Sequence, residues 1–245
     1  MNRFFIPAEN ISAEGNVVLP DEVSNQIHRV LRLKDGDLIC VLDNTGYAYE
    51  TEISYLNDGK IEGTVRRKFL SPGESECRMT MYLSLTHREK FELMLQKCTE
   101  TGASEFVPII SERSLARSKT DVQEKFPRWK KIIQEAAEQC ERAIIPVLKP
   151  AMTFSEAILN PEKETLKLFF WEEENQCTLR DVIDPVRGSV KKAALLIGPE
   201  GGFSKNEAES ARSAGWTTIT LGKRIYRVET ASIAASVLTL YELER

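Results

Sequence analysis

Two glycine-containing turns lie close together near the carboxyl end of the chain, each between an apolar run and a segment of helical character. The first turn, Gly-Pro-Glu-Gly-Gly at residues 198–202, follows the apolar run 193–197, and the second begins at Gly222, after the run 217–221. A strand that ends at glycine before a helix exposes backbone N–H and C=O groups at a sheet edge, where α/β proteins hold small ligands. Together the two turns predict one ligand pocket that is lined mostly by main chain.

Each turn also has a simpler interpretation. The first could be only a tight turn, because it matches neither the Walker loop nor the G-x-G-x-x-G fingerprint, and Ser204 with Glu207 predicts a capping box for the next helix. The second leads through Arg224 and Arg227 to Glu229, just before a predicted helix. The helix dipole would favour a bound anion there and keep Glu229 ionised, but an Arg–Glu surface pair would explain the same residues.

The pattern of the two parts of the chain predicts two domains, at residues 1–71 and 76–245. The first part has short strands with tight turns, which is typical of a small barrel. The second alternates strands and helices, which is typical of an α/β domain with a largely parallel sheet. The predicted strands are 16–19, 38–42, 48–55, 60–69, 79–85, 106–110, 144–148, 166–171, 193–197 and 217–221. The predicted helices are 21–33, 89–101, 127–143, 205–214 and 230–244.

The last predicted helix combines two kinds of apolar residue. Its larger side chains, Ile233, Val237, Leu238 and Tyr241, are predicted to be buried. Its first turns carry small residues at 231–236, which allow close approach by a neighbouring element or by a second subunit. The helix propensity of alanine alone would explain the same composition.

Composition and charge exclude several classes of protein. No apolar stretch is long enough to span a bilayer and the start of the chain lacks a secretion signal, so we expect a cytoplasmic protein. Five scattered cysteines without a C-x-x-C pair, and two isolated histidines, argue against a metal site. The net charge of −4 excludes a generally basic nucleic-acid binder, but residues 111–131 hold seven basic and three acidic side chains. Such a patch can contact phosphates or be a solvated helix face.

Six segments in order resemble the 16S rRNA uracil-N3 methyltransferases, a family of the knotted SPOUT methyltransferases. They are residues 30–37, 96–102, 111–114, 135–140, 197–204 and 221–231. The resemblance implies a PUA-like RNA-binding barrel followed by an α/β domain with a trefoil knot. It also implies S-adenosyl-L-methionine as cofactor, a homodimer, and a uridine of small-subunit rRNA as substrate. Because N3 lies on the Watson–Crick edge, the uridine has to be unpaired or flipped out, so we expect a structured RNA such as an assembled ribosomal particle.

The resemblance assigns roles to residues of this sequence. The cofactor contacts would be Ile197, Gly198, Pro199, Gly201, Gly202, Leu221, Gly222, Ile225 and Tyr226. Methylation of uridine N3 requires loss of a proton and stabilisation of the resulting anion. Glu229 is the candidate base, with Glu200 as second choice, and Arg227 the candidate for stabilising the anion. The candidate RNA contacts are Arg3, Arg29, Arg32, Lys90, Arg113 and Arg117.

The sequence departs from the family pattern at three places. Asn25-Gln26 replaces a histidine pair, Thr86-His87-Arg88 replaces Pro-Lys-Gly, and Glu141 replaces a glycine. Neither glycine turn is affected. Two alternatives remain open: a related knotted enzyme that methylates a ribose 2′-oxygen or a guanine, and an RNA-binding dimer without catalytic activity.

Overall fold

The computed structural model describes residues 1–56, 60–115 and 118–245, apart from the side chain of residue 121, and divides into two compact units. One unit contains residues 1–74 and 137–145, and the other contains residues 75–136 and 146–245. Residues 137–145 therefore group with the first unit, whereas the sequence analysis assigned them to the second domain.

The first unit is built on a five-stranded sheet of order β1-β3-β4-β5-β2, in which only the β1–β3 pair is parallel. Its strands are β1 (Arg3–Phe5), β2 (Asn16–Val18), β3 (Leu38–Leu42), β4 (Tyr47–Tyr55) and β5 (Ile61–Leu70). Alternate residues such as Ile39, Val41 and Ile53 form its core. Helix α1 (Asp21–Asn25) continues as a π-helical turn (Gln26–Leu31) that ends where Arg32 takes a left-handed conformation. The predicted strands and helix lie close to these positions, whereas β1 was not predicted.

The second unit contains a seven-stranded sheet in which every strand pair is parallel. The order is β12-β10-β11-β6-β7-β8, with β9 also paired to β7. Its strands are β6 (Arg78–Ser84), β7 (Glu105–Ile110), β8 (Val147–Leu148), β9 (Met152–Thr153), β10 (Leu166–Phe170), β11 (Lys192–Ile197) and β12 (Thr217–Ile219). Aromatic side chains, among them Phe169, Trp171 and Phe203, fill the core beside this sheet. The predicted parallel sheet is thus confirmed.

Seven helices of the described chain flank these strands. They are α2 (Arg88–Glu100), α3 (Thr120–Gln123), α4 (Phe126–Gln139), α5 (Phe154–Leu159), α6 (Leu179–Ile183), α7 (Lys205–Ser213) and α8 (Val228–Glu244). The short helices α3, α5 and α6 were not predicted. Helix α4 ends before its predicted limit because the chain turns at Glu141, which has a φ of 66°.

The prediction for the last helix was wrong about which face is buried. Val237 and Leu238 are each 44% exposed and Tyr241 is 62% exposed. Ser232, Ala235 and Ser236 are buried instead, together with Leu240 and Leu243, and α8 packs beside α2. The Ser232 hydroxyl donates a hydrogen bond to Met94 Sδ at 3.0 Å, and the hydroxyls of Thr101 and Ser236 are 2.6 Å apart. Because α8 is apolar on both faces, its periodicity could not indicate which face packs inward.

Candidate active site

The ends of three adjacent parallel strands lie side by side at one edge of the second sheet. Phe170 at the end of β10 is the register partner both of Ile197 in β11 and of Ile219 in β12. The segments that follow these strands, including both glycine turns, therefore leave the sheet together. They enclose a cavity of about 600 Å³.

Most of the predicted site residues line this cavity. All nine residues that the resemblance assigned to the cofactor are in its wall, as are the candidate catalytic residues Glu200 and Arg227. Glu229 does not line the cavity, although its neighbours Val228 and Ala231 do. The structure thus brings the two turns together as predicted.

The first turn requires glycine for steric and conformational reasons. The amide of Gly202 donates to the carbonyl of Pro199 at 2.9 Å, and Gly202 has a φ of 67°. A β-carbon at Gly202 would overlap the Glu172 carboxylate, and one at Gly198 would lie 3.0 Å from the ring of Phe203. Backbone groups can therefore face the cavity without a side chain in front of them. The predicted capping box of Ser204 with Glu207 is confirmed at the start of α7.

The second turn is more exposed. Gly222 has a φ of 102°, and its amide donates to the Thr220 hydroxyl at 3.1 Å. The side chain of Ile225 is 85% exposed. Lys223 and Arg224, which the sequence analysis did not assign to the cofactor site, also line the cavity. This wall combines backbone groups with positive charge.

A third wall, formed by residues 170–172 at the end of β10, was not predicted. Trp171 Nε1 donates to the carbonyl of Phe203 at 3.4 Å, which ties this wall to the first turn. Beyond it, Glu174 accepts hydrogen bonds from three successive backbone amides and from the Thr218 hydroxyl at 2.6 Å. The Thr218 hydroxyl, helped by the amides, lowers the pKa of Glu174 to about 2 against the opposing effect of burial.

The two candidate bases have different surroundings. Glu200 forms an ion pair with Lys90 at 3.1 Å. Burial raises the pKa of Glu200, but hydrogen bonds from backbone amides and from Lys90 outweigh it and place the pKa below its ordinary value. Glu229 lies in the first turn of α8, and its Oε2 atom is buried without a hydrogen-bond partner among the residues that the structure describes. Glu229 thus has an uncommitted carboxylate oxygen.

The predicted RNA contacts fall into three groups. Arg29 and Arg32 of the first unit are exposed. Lys90 is paired with Glu200, and Arg113 donates to the carbonyl of Gly201 at 2.6 Å. The side chain of Arg3 is only 9% exposed and pairs with Glu141 at 3.1 Å, which argues against a direct contact of Arg3 with phosphate. Arg117 lies outside the described residues.

Two further features are absent from the residues that the structure describes. No group of three or more His, Cys, Asp and Glu side chains is arranged to hold a metal ion. None of the helices described has the length and apolar character needed to cross a membrane.

The chain belongs to the RNA methyltransferase family. The family model for the RNA methyltransferase domain matches residues 73–239, and that for the RNA methyltransferase PUA domain matches residues 19–66. The domain order that the resemblance implied is confirmed: an α/β domain with a parallel sheet follows a smaller PUA domain. The trefoil knot that the resemblance also implied stays a prediction.

Particular relatives are named ribosomal RNA small subunit methyltransferase E. The Synechocystis sp. protein is 32% identical over 95% of this chain and 75% of its own length. The Mesomycoplasma hyopneumoniae protein is 29% identical over 95% of this chain and 96% of its own. A crystal structure of the Neisseria gonorrhoeae protein bound to S-adenosyl methionine has a TM-score of 0.89 and 30% identity. The match covers 98% of this chain and 97% of the Neisseria gonorrhoeae chain.

Proposed function

We propose that this protein transfers the methyl group of S-adenosylmethionine to N3 of a uridine in small-subunit rRNA. The observation that carries the proposal is the cavity at the ends of β10, β11 and β12, whose wall contains every predicted cofactor residue. A relative with the same fold binds S-adenosyl methionine, and other relatives are named as methyltransferases of small-subunit rRNA.

The residues of the cavity fit this cofactor. Its volume of about 600 Å³ is within the range of small-molecule sites. The glycines at 198 and 202 leave space that a β-carbon would fill, so peptide groups can hydrogen-bond to a ligand that lies against the turn. Apolar side chains such as Ile197 and Leu221 can cover an adenine ring.

The chemistry requires a base and a stabilised anion. When bound, S-adenosylmethionine supplies a methyl group on a positively charged sulfur. Uridine N3 carries a proton at neutral pH, and we assign its removal to the Glu229 carboxylate, which lies in the first turn of α8 between the cavity-lining residues Val228 and Ala231. Arg227, which lies in the cavity wall, would stabilise the negative charge on the ring. Glu200 suits the role of base less well, because its ion pair with Lys90 and its lowered pKa weaken its basicity.

Recognition of the substrate depends on an unpaired base. Because N3 lies on the Watson–Crick edge, the uridine has to be single-stranded or flipped out of a helix. The exposed Arg29 and Arg32 are suited to contact phosphates of the surrounding RNA. We propose that the RNA is part of an assembled ribosomal particle and that the protein acts in the cytoplasm.

We also propose that the working form is a homodimer. The side chains of Val237, Leu238 and Tyr241 form an exposed apolar stripe at helical spacing on α8. Leu93, on the neighbouring helix α2, is 38% exposed as well. A second copy of the chain packed on this stripe would remove the apolar surface from water.

Nucleoside mass spectrometry on small-subunit rRNA tests the reaction. A strain that lacks this protein is compared with the same strain expressing the wild-type chain or the Glu229→Gln variant. We expect 3-methyluridine to be absent from the rRNA of the strain that lacks the protein. It should return when the wild-type chain is expressed and stay reduced when the Glu229→Gln variant is expressed. Loss of a 2′-O-methylated nucleoside or a methylguanosine instead would favour the related knotted enzymes. Calorimetry that detects no binding of S-adenosylmethionine would favour the non-catalytic RNA-binding dimer.

A further inference from the structure

The loop that follows β7 contacts the first glycine turn directly through Arg113. Its Nη1 atom donates a hydrogen bond of 2.6 Å to the carbonyl of Gly201. Its aliphatic part covers the same residue, since a β-carbon at Gly201 would lie 3.3 Å from Arg113 Cδ and 3.4 Å from Arg113 Cβ. Arg113 therefore restrains Gly201 by both a polar and a packing contact.

The loop that carries Arg113 is itself anchored. The amide of Ser111 donates to the Ser114 hydroxyl at 3.0 Å, and the two hydroxyls are 2.8 Å apart. The amide of Glu112 donates to one oxygen of the buried Glu207 carboxylate at 2.8 Å, and the amide of Ser204 donates to the other at 2.9 Å. One carboxylate thus joins the loop to the start of α7, directly after the glycine turn.

These contacts suit the positioning of a ligand-binding turn. A charged donor on a carbonyl oxygen makes a stronger hydrogen bond than a neutral one, and a turn that is already ordered loses less entropy when a ligand binds. Gly201 is part of the cavity wall. A donor fixed to its carbonyl from an anchored loop therefore acts on the shape of the cavity.

We infer that Arg113 is a positioning residue of the cofactor site, which orders the first glycine turn through Gly201 before S-adenosylmethionine binds. The inference rests on the proposed function, because it takes that cavity as the cofactor site. It also differs from the role predicted for Arg113 from the sequence, namely a contact with RNA phosphate.

The test is the affinity of the full-length protein for S-adenosylmethionine, measured by calorimetry without RNA. Arg113→Met keeps the aliphatic chain over Gly201 and removes the donors, and we expect it to weaken binding about tenfold. Arg113→Lys, which keeps a charged donor, should recover part of that loss. Lys130→Ala removes an exposed charge from the same basic segment and serves as the matched control, with unchanged affinity expected. Thermal unfolding without cofactor should differ by no more than a few degrees among the four proteins, because one exposed hydrogen bond contributes little to global stability.

A second readout separates positioning from catalysis. For Arg113→Met, we expect a higher KM for S-adenosylmethionine and a kcat near that of the wild type at saturating cofactor. Unchanged cofactor affinity in Arg113→Met, together with weaker and less salt-dependent RNA binding, would overturn the inference and leave Arg113 as a phosphate contact. A fall of roughly 10 °C or more in the unfolding temperature of Arg113→Met without cofactor would also overturn it, in favour of a general structural role. A wild-type chain that does not bind S-adenosylmethionine would overturn the proposed function itself.

Discussion

Gly202 and Glu172 lie so close together that a β-carbon on Gly202 would overlap the Glu172 carboxylate. One residue belongs to the first glycine turn and the other to the segment after β10, and both line the cavity. Gly202 also has a left-handed backbone, with a φ of 67°. The conformational cost applies to any side chain at this position, whereas the overlap costs little because the Glu172 carboxylate ends a flexible, exposed side chain that can move aside.

Replacing Gly202 by alanine should lower both stability and cofactor affinity. The left-handed conformation costs a non-glycine residue about 1–2 kcal/mol, and the displaced Glu172 side chain would disturb the cavity. Denaturant unfolding and calorimetry with S-adenosylmethionine measure the two effects. In the double variant Gly202→Ala with Glu172→Ala, the overlap is gone and only the conformational cost should remain. A Gly202→Ala protein as stable as the wild type would contradict this account.

Glu229→Gln should reduce turnover by about 100-fold or more, which is the size of effect expected from loss of a general base. The affinity for S-adenosylmethionine should change little, since Glu229 does not line the cavity. Single-turnover methylation and calorimetry measure the two quantities. Glu200→Gln is the comparison, and its turnover should fall less. Equal losses of turnover and affinity in Glu229→Gln would indicate that Glu229 orders the turn and does not act as the base.

A charge on the exposed stripe of α8 should separate the proposed dimer. Tyr241→Glu is suitable because this side chain is 62% exposed in the single chain, so the fold of the monomer should tolerate the change. Light scattering after size-exclusion chromatography should show half the mass of the wild type. Leu159→Glu is the matched control, because Leu159 is an apolar residue at the end of α5 with 74% exposure. Loss of the dimer in both variants, or in neither, would count against the stripe as the interface.

The contribution of Glu174 to stability should depend on pH. Its pKa is about 2 in the folded protein, below the ordinary value of 4.5, so its ionised form is favoured by folding. The stabilisation is therefore complete above pH 4.5 and is lost as the pH falls towards 2. Glu174→Gln should lower the free energy of unfolding by about 1–2 kcal/mol at pH 7. Urea titrations should show the difference from the wild type shrinking below pH 4, and a difference that is constant with pH would contradict the prediction.

Glu141 should be a position where glycine stabilises the protein. Its φ of 66° is strained for a residue with a side chain, at about 1 kcal/mol or more. The ion pair between Glu141 and Arg3 contributes little to the free energy of unfolding, because the Glu141 side chain is 68% exposed. Thermal unfolding should show Glu141→Gly to be more stable than the wild type. Glu141→Ala keeps the strain and loses the ion pair, so it should be no more stable than the wild type.

The features that local sequence determines were predictable. Each glycine turn is marked by an apolar run before it and a helix start after it. Two walls of the cavity could therefore be predicted without knowledge of the fold. The capping box of Ser204 and Glu207 is equally local. The departure at Glu141 was visible in the sequence, but the predicted helix continued to residue 143, whereas the helix ends at Gln139 before the left-handed backbone of Glu141.

The features that depend on strand order and packing could not be read from the sequence. The segment after β10 becomes a cavity wall only because β10 lies between β11 and β12. Arg3 and Arg113 looked like free cations in the sequence, but their partners, Glu141 and Gly201, are far away along the chain. The buried face of α8 depends on which neighbour its small residues meet, and no periodic contrast along that helix reveals this.

Residues 137–145 belong to the first unit although they lie far from residues 1–74 along the chain, and this affects how the two units can be expressed separately. Ala143 packs in a small core with Cys40, Leu42 and Ala48, and the Glu141 carboxylate pairs with Arg3. A fragment cut after residue 74 would lack this segment and present those three buried side chains to solvent. The chain therefore cannot be dissected into two self-sufficient fragments by one cut, and a stand-alone version of its amino-terminal part would require residues 137–145 to be grafted back.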